Sequence, residues 1–203
     1  MIATAFTVAF TLWDYTTTWI ELIAVLLGLI MVFFTIAEKH WGWLFAILSS
    51  ALYFLIFWNS RLYGDALLQL LFIALAAWGW WLWLRGTGPA PLRITQLTAR
   101  QRWACLLSGL GLWGLTGGIL LNFTDTDVPW WDAFPTAFSL VGQYLLAHKR
   151  LENWAVWITV NIVATGLFAW KGLWLTTLLY LAFIGLSAVG WRTWAKHAQV
   201  EAA

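Results

Sequence analysis

Apolar and polar positions alternate along this chain on the scale of whole helices rather than of single residues. Seven apolar stretches of about 17–20 residues, each long enough to cross a hydrocarbon core as a helix, are separated by short charged turns. They run Trp19–Ile36, Trp41–Trp58, Asp65–Trp83, Trp103–Asn122, Trp130–Ala147, Trp154–Trp170 and Thr176–Trp194. The longest connection, Arg85 to Arg102, carries Gly86, Gly88, Pro89 and Pro91 and reads as a central linker. Asn122 to Pro129, with Asp125 and Asp127, is a short acidic loop. The opening stretch Ile2–Trp13 is too short to span and lacks a basic flank, so no cleaved signal peptide is expected.

An internal repeat underlies these stretches. Gly-Trp-x-x-Trp occurs at Gly79–Trp83 and again at Gly190–Trp194, an offset of 111 that also pairs Leu67-Leu68 with Leu178-Leu179 and Phe72 with Phe183. Trp41 and Trp154 each begin a span after a basic turn and are 113 apart, which would put a two-residue change in a loop. Spans one to three thus resemble spans five to seven, with the fourth between them. The expected architecture is an all-α integral membrane protein of seven transmembrane helices, 3+1+3, with parallel three-helix repeats as in SWEET proteins. Its parts would be an extracytoplasmic segment at 1–18, a first repeat at 19–83, a linker with the central helix at 84–129, a second repeat at 130–194, and a cytoplasmic tail at 195–203.

Few polar side chains interrupt the apolar runs. Asn161 lies in the middle of the sixth span, Gln143 late in the fifth, and Gln69 one turn into the third, on the face of Asp65. Thr176 and Tyr180 occupy the matching positions of the seventh. A buried amide must find a hydrogen-bond partner because lipid offers none, so these residues either join helices or face a substrate path. Asp65 could equally cap its helix. Trp154, Trp157 and Asn161 follow one another at i, i+3 and i+7, so two indoles and an amide share one helical stripe. Most of the 19 tryptophans fit interfacial belts. Taking Trp41, Leu44 and Leu48 as the repeat partners, Trp157 and Asn161 are gains of the second half, which favours ligand contact there.

Composition narrows the function. With 62% hydrophobic and 10% charged residues, the chain is far from a soluble domain, and a net charge of +2 gives no basis for nucleic-acid binding. With the N-terminus outside, nine Lys and Arg fall on the cytoplasmic side and two, Arg61 and Lys171, outside. A single Cys105 and scattered His40, His148 and His197 suggest neither disulfide nor metal, and P-loop, hydrolase and zincin motifs are lacking. No cofactor and no enzymatic activity are expected. Acidic residues stay near span ends, Glu21 and Asp65 lying deepest, so ion-coupled transport has no evident machinery.

The W-x-x-W-x-x-x-N pattern at Trp154, Trp157 and Asn161, with Tyr63-Gly64-Asp65-x-x-x-Gln69 and Leu173-Trp174-Leu175-Thr176-Thr177-x-x-Tyr180, resembles the Pnu family of bacterial vitamin transporters. The resemblance covers roughly Trp19 to Trp194. It implies a SWEET-like fold, a homotrimer in the bacterial inner membrane, and facilitated diffusion of nicotinamide riboside, an NAD precursor, trapped by a cytosolic nicotinamide riboside kinase. Indole faces suit its pyridinium cation, and the amides suit its carboxamide and ribose hydroxyls. With no Lys or Arg near the midplane, the nucleoside should pass and the mononucleotide should not. Thiamine carried by the same fold, a substrate-binding subunit of an ATP-driven importer, and a non-transporting assembly factor are the alternatives.

Overall fold

The computed structural model describes residues 6–12, 15–59, 63–86, 92–124, 126–172 and 174–202. Among them are seven helices: α1 Trp19–Ile36, α2 Trp41–Asn59, α3 Tyr63–Arg85, α4 Ala99–Phe123, α5 Pro129–Ala147, α6 Asn153–Trp170 and α7 Trp174–Ala202. They fall into two compact units, Met1–Pro89 and Ala90–Ala203. In the first, α2 packs against both α1 and α3; in the second, α4, α5, α6 and α7 pack in serial order.

Six of the seven helices are long and apolar enough to cross a membrane. The exception is α5, read from the sequence as the fifth span. Asp132, Thr136, Ser139 and Gln143 lower its apolar character, and it buries ten of its 19 residues, because α4 and α6 rather than lipid cover much of it. Two other expectations change. Residues 195–202 continue α7 instead of forming a separate tail. Part of the segment 1–18 is a β-hairpin, Val8–Leu12 paired antiparallel with Tyr15–Thr18. The hairpin leads directly into α1, whose first turn is closed by a capping box: Thr18 Oγ1 accepts from the Glu21 N–H while the Glu21 carboxylate accepts from the Thr18 N–H. Phe6 packs on Ile20, Ala24 and Ile56. Of the linker, residues 87–91, with Gly88, Pro89 and Pro91, lie outside the described residues, as do Arg61 and Asp125.

Both units are built on the same interlock. In the first, the Trp43 ring of α2 lies where a Cβ on Gly79 of α3 would come within 2.5 Å of it, and Trp83 meets it edge-on at 5.6 Å. In the second, Trp154 of α6 fills the corresponding space at Gly190 of α7 (2.6 Å) and meets Trp194 edge-on at 5.4 Å. Every member is shifted by 111. The turn before the indole repeats as well. Glu38 and Lys149 both adopt positive φ, 55° and 49°. The N–H groups of Ala37, Glu38, Lys39, Gly42 and Trp43 donate to Phe33, Thr35, Phe34, Lys39 and His40, and the residues 111 further on make the same five bonds. The offset of 113 taken from Trp41 is therefore corrected: no residues are inserted, and Trp154, Trp157 and Asn161 correspond to Trp43, Ala46 and Ser50.

In the second unit the end of the linker adds a brace absent from the first repeat. Thr95 donates its N–H to the Lys149 carbonyl and accepts from the Leu151 N–H, while Ile94 and Leu97 are buried. Glu152, which stands where the first repeat has Trp41, accepts from the Leu97 N–H and pairs with Arg102 at 3.0 Å.

Two outcomes follow. Gly79→Ala and Gly190→Ala should each lower stability by about 1–3 kcal/mol, because the indole behind each glycine cannot retreat. Combining Gly190→Ala with Trp154→Leu should cost less than the sum of the two, as read by thermal unfolding of the purified protein. Glu152→Ala removes the acceptor of the Leu97 N–H, and limited trypsin digestion should then cleave after Arg93 faster than in the parent; equal rates would show that the carboxylate does not hold the linker.

Candidate functional site

Comparison of the two repeats at the corrected offset shows where they part. The interlock is kept, and so are buried pairs such as Ile56 and Leu167. Among the positions that change in size or polarity, four lie on α5 and α6. Gly28, Val32, Ala46 and Ser50 of the first unit become Ser139, Gln143, Trp157 and Asn161 of the second. Ser139 and Gln143 add a hydrogen-bonding group, Trp157 adds a large aromatic surface, and Asn161 replaces a hydroxyl with an amide.

These four residues lie on two packed helices. Ser139 and Gln143 lie one turn apart on α5, Trp157 and Asn161 one turn apart on α6, and the two helices pack against one another. Gly142 marks the crossing: a Cβ there would come within 3.1 Å of the Trp157 ring. On the α4 side of the crossing, Ala137, Phe138 and Val160 form an apolar cluster that Trp157 joins, and Phe138 is seated against Gly109 of α4. Trp157 is thereby fixed along one edge, yet it remains half-exposed.

Gln143 is only 4% exposed, and its Oε1 has no hydrogen-bond partner among the described residues. Asn161 is 5% exposed; its carbonyl accepts from Thr165 Oγ1, but its side-chain amide makes no hydrogen bond among the described residues. An unpaired buried acceptor costs about 1–3 kcal/mol, a penalty that a ligand donor would remove. Asn153, wholly buried at the start of α6, differs in kind. Its Nδ2 donates to the Arg150 carbonyl, so it fastens the turn even though its Oδ1 is also unpartnered.

The other expected site residues are distributed unevenly. Trp154 is 3% exposed and enclosed by Gly190 and Trp194, so no ring face is open; its place is the interlock that Trp43 occupies in the first unit. Tyr180 of α7 is half-buried and tilts against Phe168 of α6 at 5.0 Å, within the second unit. Thr176 lies one turn before it and is half-buried, whereas the adjacent Thr177 is buried. Gln69 is half-exposed on α3 of the first unit, and the Asp65 side chain lies outside the described residues. The structure therefore places Gln143, Trp157 and Asn161 on the two packed helices α5 and α6. Ser139, missed by sequence reasoning, joins them; only the corrected offset, which sets it against Gly28, distinguishes it from an ordinary helix serine.

Residues 18–196 match the family described as nicotinamide mononucleotide transporter. The chain belongs to that family. Among curated members, it is 27% identical to the nicotinamide riboside transporter PnuC of Escherichia coli strain K12, over 91% of this chain and 88% of that one. It is 28% identical to the riboflavin/roseoflavin transporter RibM of Streptomyces davaonensis, over 92% and 89%. It is also similar to the crystal structure of the vitamin B3 transporter PnuC, with a TM-score of 0.73 at 24% identity, covering 89% of this chain and 82% of the other. The family is thus one of membrane transporters, and the all-helical fold is shared with a solved member.

The unpaired Gln143 oxygen makes a two-part prediction. Gln143→Leu keeps roughly the same volume, so the variant should be as stable as the parent or up to about 2 kcal/mol more stable in thermal unfolding. It should nevertheless bind the transported compound more weakly. Lost stability would instead identify Gln143 as a packing residue.

Proposed function

We propose that the protein carries nicotinamide riboside across the membrane, with Gln143, Trp157 and Asn161 as the core of the substrate site and Ser139, Thr176 and Tyr180 of the same unit as further contacts. The observation that carries this reading is the buried Gln143 Oε1, without a hydrogen-bond partner among the described residues, on a helix packed against the one that carries Asn161 and the half-exposed Trp157. A flat pyridinium laid on the exposed part of Trp157 gains about 2 kcal/mol from cation–π attraction when desolvated. Its carboxamide N–H can donate to Gln143 Oε1, and the amide of Asn161 can serve a ribose hydroxyl or the carboxamide oxygen. Similarity to the PnuC relatives supports the same substrate. A mononucleotide would bring a phosphate to a site whose core holds no cation, so the nucleoside is favoured over the phosphorylated form.

Transport is by facilitated diffusion. Glu21 is consumed by its capping box, and Asp132 is bound to Lys171 and Thr126 at a helix end. Neither is placed to carry a coupling ion through the bilayer. The matching turns and interlocks support two related three-helix repeats around α4 in a 3+1+3 arrangement. The distribution of Lys and Arg supports an N-terminus outside and a C-terminus in the cytoplasm of a bacterial inner membrane. A homotrimer and trapping of the vitamin by a cytosolic kinase complete the reading.

Calorimetric binding to the purified protein should rank nicotinamide riboside at least about tenfold above thiamine, riboflavin and nicotinamide mononucleotide, a gap of about 1.4 kcal/mol. Asn161→Ala and Trp157→Ala should each weaken binding by about tenfold or more while the oligomer stays intact. Comparable affinity for the mononucleotide would refute the assignment. In liposomes, uptake should equilibrate without accumulating; accumulation driven by a proton or sodium gradient would refute facilitated diffusion.

A further inference from the structure

A cavity of about 470 Å³ lies within the second unit between α4 and α5. Its two ends differ in character. Leu112, Leu140 and Val141 line the inner part, and Gln101, His148 and Arg150 line the mouth. The mouth lies where α4 begins and α5 ends, next to the docked linker. Arg150 lines it, and Arg93, Arg100, Arg102 and Lys149 belong to the adjoining linker, α4 start and α5–α6 turn; residues 92–124 hold no Asp or Glu, and Glu152 of that turn is already paired with Arg102. Arg150 uses one N–H on Thr95 Oγ1, which fixes the guanidinium and leaves further donors in its planar fork. Beyond the cavity, Leu106, Leu107 and Leu110 of α4 are exposed, as expected for a helix facing hydrocarbon.

We propose that this cavity binds one anionic phospholipid, with an acyl chain between α4 and α5 and its phosphate on Arg150, His148 and Gln101. An apolar slot lined by a helix that also carries exposed leucines, with basic residues at one end, matches the shape and charge of such a lipid. A zwitterionic lipid would fill the slot but bring its own cation to the basic mouth. A free phosphate would satisfy the mouth and leave the leucine-lined part empty. The site is separate from Gln143, Trp157 and Asn161, and it stands whether or not these residues bind nicotinamide riboside. A lipid seated there would hold α4, the helix between the two repeats, against α5.

The test uses the full-length protein in detergent micelles containing equal amounts of phosphatidylglycerol and phosphatidylcholine, with retained lipid counted by native mass spectrometry. One phosphatidylglycerol per chain should be retained, with at least about fivefold preference, the size expected for one well-placed cation. Ala104→Phe, which fills the slot without touching the linker contacts, and Arg150→Gln, which weakens the phosphate contact, should each reduce retention by about fivefold or more. Since Arg150→Gln also loses the Thr95 contact, the Ala104→Phe variant decides if the other does not fold. Equal retention of both lipids, or unchanged retention in Ala104→Phe, would overturn the proposal. Displacement of the lipid by millimolar inorganic phosphate alone would overturn it in favour of a soluble phosphate ligand.

Discussion

An indole seated on a glycine is the contact on which this architecture depends. Apolar helices in lipid gain little from hiding apolar surface from one another, so close shape matching must hold them together. Gly79 and Gly190 permit that match by giving up their own side chains, and Trp43 and Trp154 fill the recess with the largest side chain available. Trp83 and Trp194 then close the remaining side edge-on, the arrangement that aromatic quadrupoles favour. In both places the indole N–H is buried without a partner among the described residues. Shape, not hydrogen bonding, holds these rings, and the same solution has been used twice.

A scaffold fixed this way leaves other positions free to change. Both units keep the turn, the indole and its glycine, and only the second has acquired a polar and aromatic group at the α5/α6 crossing. The two roles of tryptophan follow from their surroundings rather than from the residue itself. Trp154 has spent both faces on protein, whereas Trp157 is braced along one edge by Gly142 and keeps surface to offer. Gln143 and Asn161 supply what a purely apolar crossing lacks, namely hydrogen-bonding groups, and the Gln143 Oε1 has no partner among the described residues.

Much of this was legible in the sequence, and the failures have definite causes. Helix number and boundaries came from hydropathy, since a membrane helix must be apolar along nearly its whole length. The Gly-Trp-x-x-Trp pairs revealed the repeat because glycine beside tryptophan is informative wherever leucine is not. The register of α2 against α6 was misread because Trp41 and Trp43 are both tryptophans near a helix start, and only the backbone bonds of the preceding turn tell them apart. Trp154 could not be separated from Trp157 by spacing, which places both on one stripe without saying which ring another helix covers. Fold-level burial also hid the nature of α5: its serine, threonine and glutamine read as blemishes in a span, yet they mark the helix that protein surrounds most completely. Ser139 carried no signal until its partner was known to be glycine.

The left-handed residues Glu38 and Lys149 bear on how such a protein can change over time. Each sits in a turn whose five backbone bonds close on one another, so adding or removing a residue there would break all of them at once. That turn works as a fixed ruler. It sets the height of every side chain along α2 and α6 relative to the preceding helix, and the two copies have kept the same length while their side chains diverged. Members of the family that carry vitamins of different size should therefore differ by substitution at the α5/α6 crossing, with larger or smaller groups at positions 139, 143, 157 and 161, while the spacing between the turn and the crossing stays constant.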